Sequence, residues 1–154
     1  MSYYPDLSHC HYYGLRAPRL LAVGWLDLAS PYPTGEVTGD FFASLLELLV
    51  DPWQPAVTAG LHRCPFCRFS GGPSDVRYGG VAARIGTANL FVPYKDRVFV
   101  APSLVAHYID AHAYSPPAEF QAAVTECPPM RSMEYLKQLR AHGVHKIELS
   151  SITP

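Results

Sequence analysis

The sequence predicts an α+β fold: one small domain over residues 1–154, with an antiparallel sheet, a knuckle–hairpin–helix unit at 62–113 and a helical C-terminal segment. Three observations carry this. A helical apolar stripe runs from Asp40 to Val50. Two apolar runs, Asn89-Leu90-Phe91-Val92-Pro93 and Val98-Phe99-Val100-Ala101, flank a turn. Helix-length stretches bounded by proline and glycine close the chain.

Composition limits the element lengths and the function classes. A chain of 154 residues is long enough to bury a core. Fifteen prolines and eleven glycines imply short elements and many turns. Charged residues are 16% of the chain, below the roughly 25% of soluble domains. With ten tyrosines, a surface so low in charge suits burial against a partner. Net charge is −1 and Lys and Arg form no block, which argues against nucleic acid and anionic membrane. Met1–Asp6 lacks the basic and apolar regions of a signal peptide. The apolar run Leu20–Leu26 is too short to span a bilayer. A cytoplasmic protein with reduced thiols is expected, and four cysteines there favour metal or free thiols. Asn89 is the only asparagine and Arg outnumbers Lys, a bias of GC-rich bacterial genomes.

In chain order, residues 1–19 read as an irregular arm. Within it Cys10, flanked by His9 and His11, is a possible metal cluster, though such clusters near a terminus more often face solvent. Leu20–Leu26 reads as a buried strand. The Asp40–Val50 helix takes Thr38 or Asp40 as cap. It buries Phe41, Leu45, Leu48 and Leu49, with Phe42 and Leu46 widening the stripe, and Asp51-Pro52 ends it. Val76–Ala83 and Ile85–Val92 look extended, broken at Gly79-Gly80 and Gly86. Pro93–Arg97 is a turn before the returning strand. Ser103 is the expected cap of a helix ending near Ala113. Ser115 is the expected cap of a second helix, with Pro116 and Pro117 in its first turn. Ser132 caps a third, Met133–His142, closed by Gly143. Lys146–Leu149 could add a strand.

The chemistry gathers in Cys64-Pro65-Phe66-Cys67 and His107-Tyr108-Ile109-Asp110-Ala111-His112. Zinc takes four thiolate or imidazole ligands in a tetrahedron. A Cys-x2-Cys turn offers two sulfurs and a short helix two imidazoles, so Cys64, Cys67, His107 and His112 are the expected Zn²⁺ ligands. Two thiolates neutralise the ion, so the site tolerates an apolar setting, which Phe66 and the hairpin aromatics would supply. Positions five apart on a regular helix diverge by roughly 140°, so the last helical turn must fray or tighten for His112 to reach the ion. His62 competes as a ligand. Asp110 is placed to orient His107 from outside the ligand set.

The order knuckle, hairpin, helix over residues 62–113 resembles treble-clef and ββα zinc fingers, although residues 68–106 make a long linker. Cys64-Pro65-Phe66-Cys67 is also the tetrapeptide of glutaredoxins. There it opens a helix that lowers the first thiol's pKa, whereas Arg68-Phe69-Ser70-Gly71-Gly72-Pro73 cannot be helical. The whole chain is similar to an uncharacterised bacterial protein family. The similarity rests on Val23-Gly24-Trp25-Leu26-Asp27, His62-Arg63-Cys64-Pro65-Phe66-Cys67, Asn89–Pro93 and His107–Phe120, and it implies no activity. Phosphate loops, nucleophile elbows and His-Glu-x-x-His helices are absent.

The expected function is a structural Cys₂His₂ zinc module that binds a protein partner. The alternatives are a zinc hydrolase with an open fourth position and a thiol-redox protein using Cys64 and Cys67.

Overall fold

The computed structural model describes residues 3–13, 20–56 and 60–144; the expected strand at 146–149 lies outside them. The elements run β1 (Leu20–Ala22), α1 (Gly39–Leu49), β2 (Asp75–Tyr78), β3 (Val81–Arg84), β4 (Asn89–Tyr94), β5 (Arg97–Pro102), α2 (Val105–His112), α3 (Ala118–Glu126) and α4 (Met133–Ala141). This is the expected α+β class. One sheet has the order β1-β5-β4 and the other is the β2-β3 hairpin. The larger sheet is mixed. β5 pairs antiparallel with β4 and parallel with β1, Leu20 opposite Val98 and Ala22 opposite Val100.

Both faces of the larger sheet are buried, which is why its strands read as continuous apolar runs. Leu90, Val92, Phe99 and Ala101 point into a core shared with α1, α2 and α3. Phe91, Val98, Val100, Leu20 and Ala22 point the other way, against Trp25, Tyr13 and the α4 residues Tyr135 and Leu139. The edges are handled differently. Pro93, expected in the turn, sits in β4. This is an edge strand, where a missing N–H costs no ladder bond, and the turn shrinks to Lys95-Asp96. The outer edge of β1 is covered by the arm, through Cys10 N–H to Leu20 C=O at 2.8 Å and Ala22 N–H to Ser8 C=O at 2.8 Å. The arm is therefore part of the sheet's hydrogen bonding, not a loose lead-in.

β1 stops short of the expected Leu26. Gly24 turns the chain with φ +77°, and a Cβ there would lie 2.8 Å from Val105 Cγ2. The turn closes on Asp6, whose carboxylate accepts from Gly24 N–H at 3.0 Å and from the Tyr114 hydroxyl at 2.8 Å.

Two of the expected helix caps are corrected. Thr38 and Ser132 do cap α1 and α4, accepting from Phe41 N–H and Tyr135 N–H. Ser103 does not cap α2: Leu104 holds the cap position without a side-chain bond. The Ser103 hydroxyl instead accepts from Gly86 N–H at 2.8 Å and Ala88 N–H at 3.3 Å, tying the β3–β4 loop to the start of α2. Ser115 does not cap α3 either. Pro117 occupies that position, and its carbonyl accepts from Phe120 and Gln121 N–H.

Among the described residues, no helix is long and apolar enough to cross a membrane.

Candidate metal centre

The knuckle is a backbone construction. Cys64 N–H donates to Gly71 C=O at 2.7 Å, Gly71 N–H to Cys67 C=O at 2.9 Å, and His62 N–H to Gly86 C=O at 2.7 Å. These bonds fold residues 64–71 back on themselves and anchor them to the β3–β4 loop. Both cysteines are thereby turned toward α2, which follows directly on β5.

The four expected ligands converge. One ligand atom from each of Cys64, Cys67, His107 and His112 lies within 4.8 Å of the other three. Cys67 Sγ is 3.3 Å from His107 Nε2 and 3.5 Å from His112 Nε2, and Cys64 Sγ is 3.5 Å from His112 Nε2. A tetrahedral ion with bonds of about 2.3 Å to sulfur and about 2.05 Å to nitrogen separates S from N by roughly 3.5 Å. The three S–N spacings fit edges of that tetrahedron. A thiol–imidazole hydrogen bond explains them less well. His112 Nε2 faces two sulfurs at the same distance, and one ring nitrogen cannot point at both.

The reach of His112 comes from a widened turn. Ala113 N–H and Tyr114 N–H both donate to Tyr108 C=O, five and six residues back, and Ala113 is left-handed with φ 55°. The spacing suggested that the last turn frays or tightens; it widens instead. A wider turn holds more residues, which reduces the angle between positions five apart. The two rings end with centroids 5.0 Å apart and nearly perpendicular.

The surroundings are apolar and aromatic. Cys64 and His107 are 3% and 4% exposed. Phe66 packs on His112 at 5.2 Å, on Tyr108 at 5.8 Å and on Tyr32 at 5.4 Å, and the Tyr32 hydroxyl donates to His112 C=O at 3.1 Å. Phe66 plays the expected part, but its companions are Tyr32 and Tyr108 rather than hairpin aromatics. Burial raises the Cys64 pKa, and Cys67 beside it adds to the rise. Burial also lowers the His107 pKa, helped by His112 and opposed by Asp110. The Tyr108 hydroxyl is buried with no hydrogen-bond partner among the described residues. Burial raises its pKa, and the charge of Cys64 and Cys67 raises it further.

Gly72 forms one wall. Its φ is +94°, and a Cβ there would lie 3.2 Å from Cys64 Cβ and 3.4 Å from His107 Nε2. Gly72→Ala is therefore expected to cost about 1–3 kcal/mol through backbone strain, lowering the melting temperature by roughly 3–10 °C. Thermal denaturation of the purified variant checks this.

The other candidates separate. His62 is outside the cluster. Asp110 is exposed and acts on His107 through charge; no hydrogen bond links them. Cys10 is 1% exposed in the core around Trp25, and burial pushes its thiol up to about 11. The glutaredoxin comparison loses its basis, because turns rather than a helix follow Cys67 and the Cys64 pKa moves upward.

A family model described as Domain of unknown function (DUF7919) matches residues 2–125. The chain belongs to this family. The matched stretch of this DUF7919 chain contains all four converging residues, the knuckle and both hairpins, while α4 lies beyond it. No curated protein and no solved structure matches the chain.

Sequence reading located the four converging residues but missed Gly72, Tyr32 and Tyr108 around them. Gly71-Gly72 was visible only as loop-forming, and nothing local connects Tyr32 to residues far along the chain.

Proposed function

We propose that Cys64, Cys67, His107 and His112 hold one structural zinc ion, and that this cytoplasmic protein is a zinc-stabilised module binding a protein partner. The observation that carries the metal is the set of three S–N spacings of 3.3–3.5 Å. Two sulfurs and two imidazole nitrogens in a tetrahedron suit zinc above harder cations. The ion would supply cross-linking: it would join the knuckle to α2 across 40 residues of chain and neutralise two buried thiolates.

A hydrolytic zinc site has three protein ligands and an open position for water. Four converging ligands, packed between Phe66 and the Gly72 backbone, favour a closed site. X-ray absorption at the zinc edge tests this choice. Two sulfur and two nitrogen scatterers are expected, and an oxygen scatterer in place of one ligand would overturn the structural reading.

Support for a protein partner comes from the surface. Phe69, in the knuckle loop, is fully exposed, and Leu61 is 59% exposed. Aromatic side chains such as Phe69 are enriched at interfaces. α2 offers no Lys or Arg to read bases or contact phosphates. Gel-shift titration with mixed duplex DNA at low salt is expected to give no complex at micromolar protein. A salt-sensitive complex would contradict the choice of partner.

Acid is expected to weaken the fold. A histidine whose pKa is lowered in the folded state binds its proton more readily when unfolded. His107 therefore contributes stability above the ordinary imidazole value of about 6.5, and that contribution is lost as pH falls from there toward the lowered value. Proton competition for the metal ligands acts in the same direction. Denaturant melts between pH 7.5 and about 5 should show stability falling with pH.

A further inference from the structure

The knuckle loop has a second side besides the ligand cluster, and Gly72 belongs to both. It forms a cleft of about 400 Å³ together with the end of β3 and the β3–β4 loop. That volume lies within the range of small-ligand sites, roughly 300–1,000 Å³. Arg63, Arg84, Ser70, Ser74 and Thr87 line it, and no acidic side chain does.

Both guanidiniums are uncommitted. Among the described residues neither Arg63 nor Arg84 makes a side-chain hydrogen bond or ion pair. Asp75 stands opposite Arg84 in the β2–β3 register, but its carboxylate is bonded to Arg77 at 3.2 Å. The Arg63 stem lies along Gly71, where a Cβ would come 3.0 Å from Arg63 Cδ. A side chain braced in this way loses less freedom when it binds. Ser70 Oγ accepts from Gly72 N–H at 3.1 Å, which leaves its own proton free to donate. A zinc ion with two thiolates is neutral and would not offset the arginines.

We propose that this cleft binds a phosphate group, free or as a small monoester. Two guanidiniums carry charge +2 and match a phosphate of charge about −1.5 to −2. Their forked donors, with three hydroxyls, supply more N–H and O–H groups than the two oxygens of a carboxylate can use. The three terminal oxygens of a phosphate can accept them.

The test is calorimetric titration of the purified full chain, in phosphate-free buffer at low ionic strength, with inorganic phosphate, phenyl phosphate and acetate. Saturable one-site binding of a phosphate ligand is expected, with acetate weaker by at least about ten-fold. Preference for phenyl phosphate identifies an ester as the ligand, and preference for inorganic phosphate identifies the free anion. Arg63→Ala and Arg84→Ala should each weaken binding about ten-fold or more. Arg63→Lys, which keeps charge but loses the fork, should recover only part of it. Both arginines are exposed, so unchanged thermal melts are expected to accompany these losses. No saturable binding, equal binding of acetate, or binding indifferent to both arginines would overturn the proposal.

Discussion

Cys67→Ser is expected to unfold the region around the metal centre and to lower the melting temperature by more than about 10 °C. Cys67 is the sulfur that faces both imidazoles, at 3.3 and 3.5 Å. A serine hydroxyl is a poor zinc ligand, and the variant leaves Cys64 and His107 buried without the ion. Structural zinc contributes on the order of 10 kcal/mol in finger peptides, whereas whole domains are stable by about 5–15 kcal/mol. Losing even part of that term consumes much of the margin. Cys127→Ser is the comparison. Cys127 is also a half-buried thiol, pushed up to about 12 by burial, but it lies outside the cluster. Its replacement should cost no more than about 2 kcal/mol. Equal melts for the two variants would mean that Cys67 holds no metal that matters to the fold.

Trp25→Ala is expected to cost about 3–5 kcal/mol with no loss of bound metal. Trp25 is fully buried. Its indole N–H donates to Val100 C=O at 2.8 Å, and its ring packs on Tyr4 and Tyr12 at 5.3 and 5.2 Å. The side chain thus fastens the arm and the chain leaving β1 to the central strand β5. The Val100 carbonyl keeps a partner in Val23 N–H at 3.0 Å, so the main cost is the cavity. Denaturant titration measures the stability, and elemental analysis of the same sample measures the metal. A variant that loses metal along with stability would show that the sheet and the knuckle are one cooperative unit.

What could be read from the sequence divides along physical lines. The α1 stripe was legible because each of Phe41, Phe42, Leu45, Leu46, Leu48 and Leu49 is buried at helical spacing. The β4–β5 hairpin was legible as two apolar runs, although Pro93 concealed how far β4 extends. The ligand residues were legible because thiol and imidazole types are few and their spacing is chemical. What escaped depends on contacts distant in sequence. Ser103 looks like a cap, but the β3–β4 loop offers its hydroxyl two closer donors. The arm carries no strand pattern, yet it covers the β1 edge with backbone groups that any sequence has. The parallel β1–β5 pair joins segments separated by most of the chain. Arg63 and Arg84 face one cleft only because the knuckle is bonded to Gly86.

The central claim is that one zinc ion joins the knuckle to α2, and elemental analysis of protein purified without chelators tests it most directly. About one zinc per chain is expected, lost together with the folded state when a strong chelator is added. A fully folded protein that contains no zinc would contradict the claim.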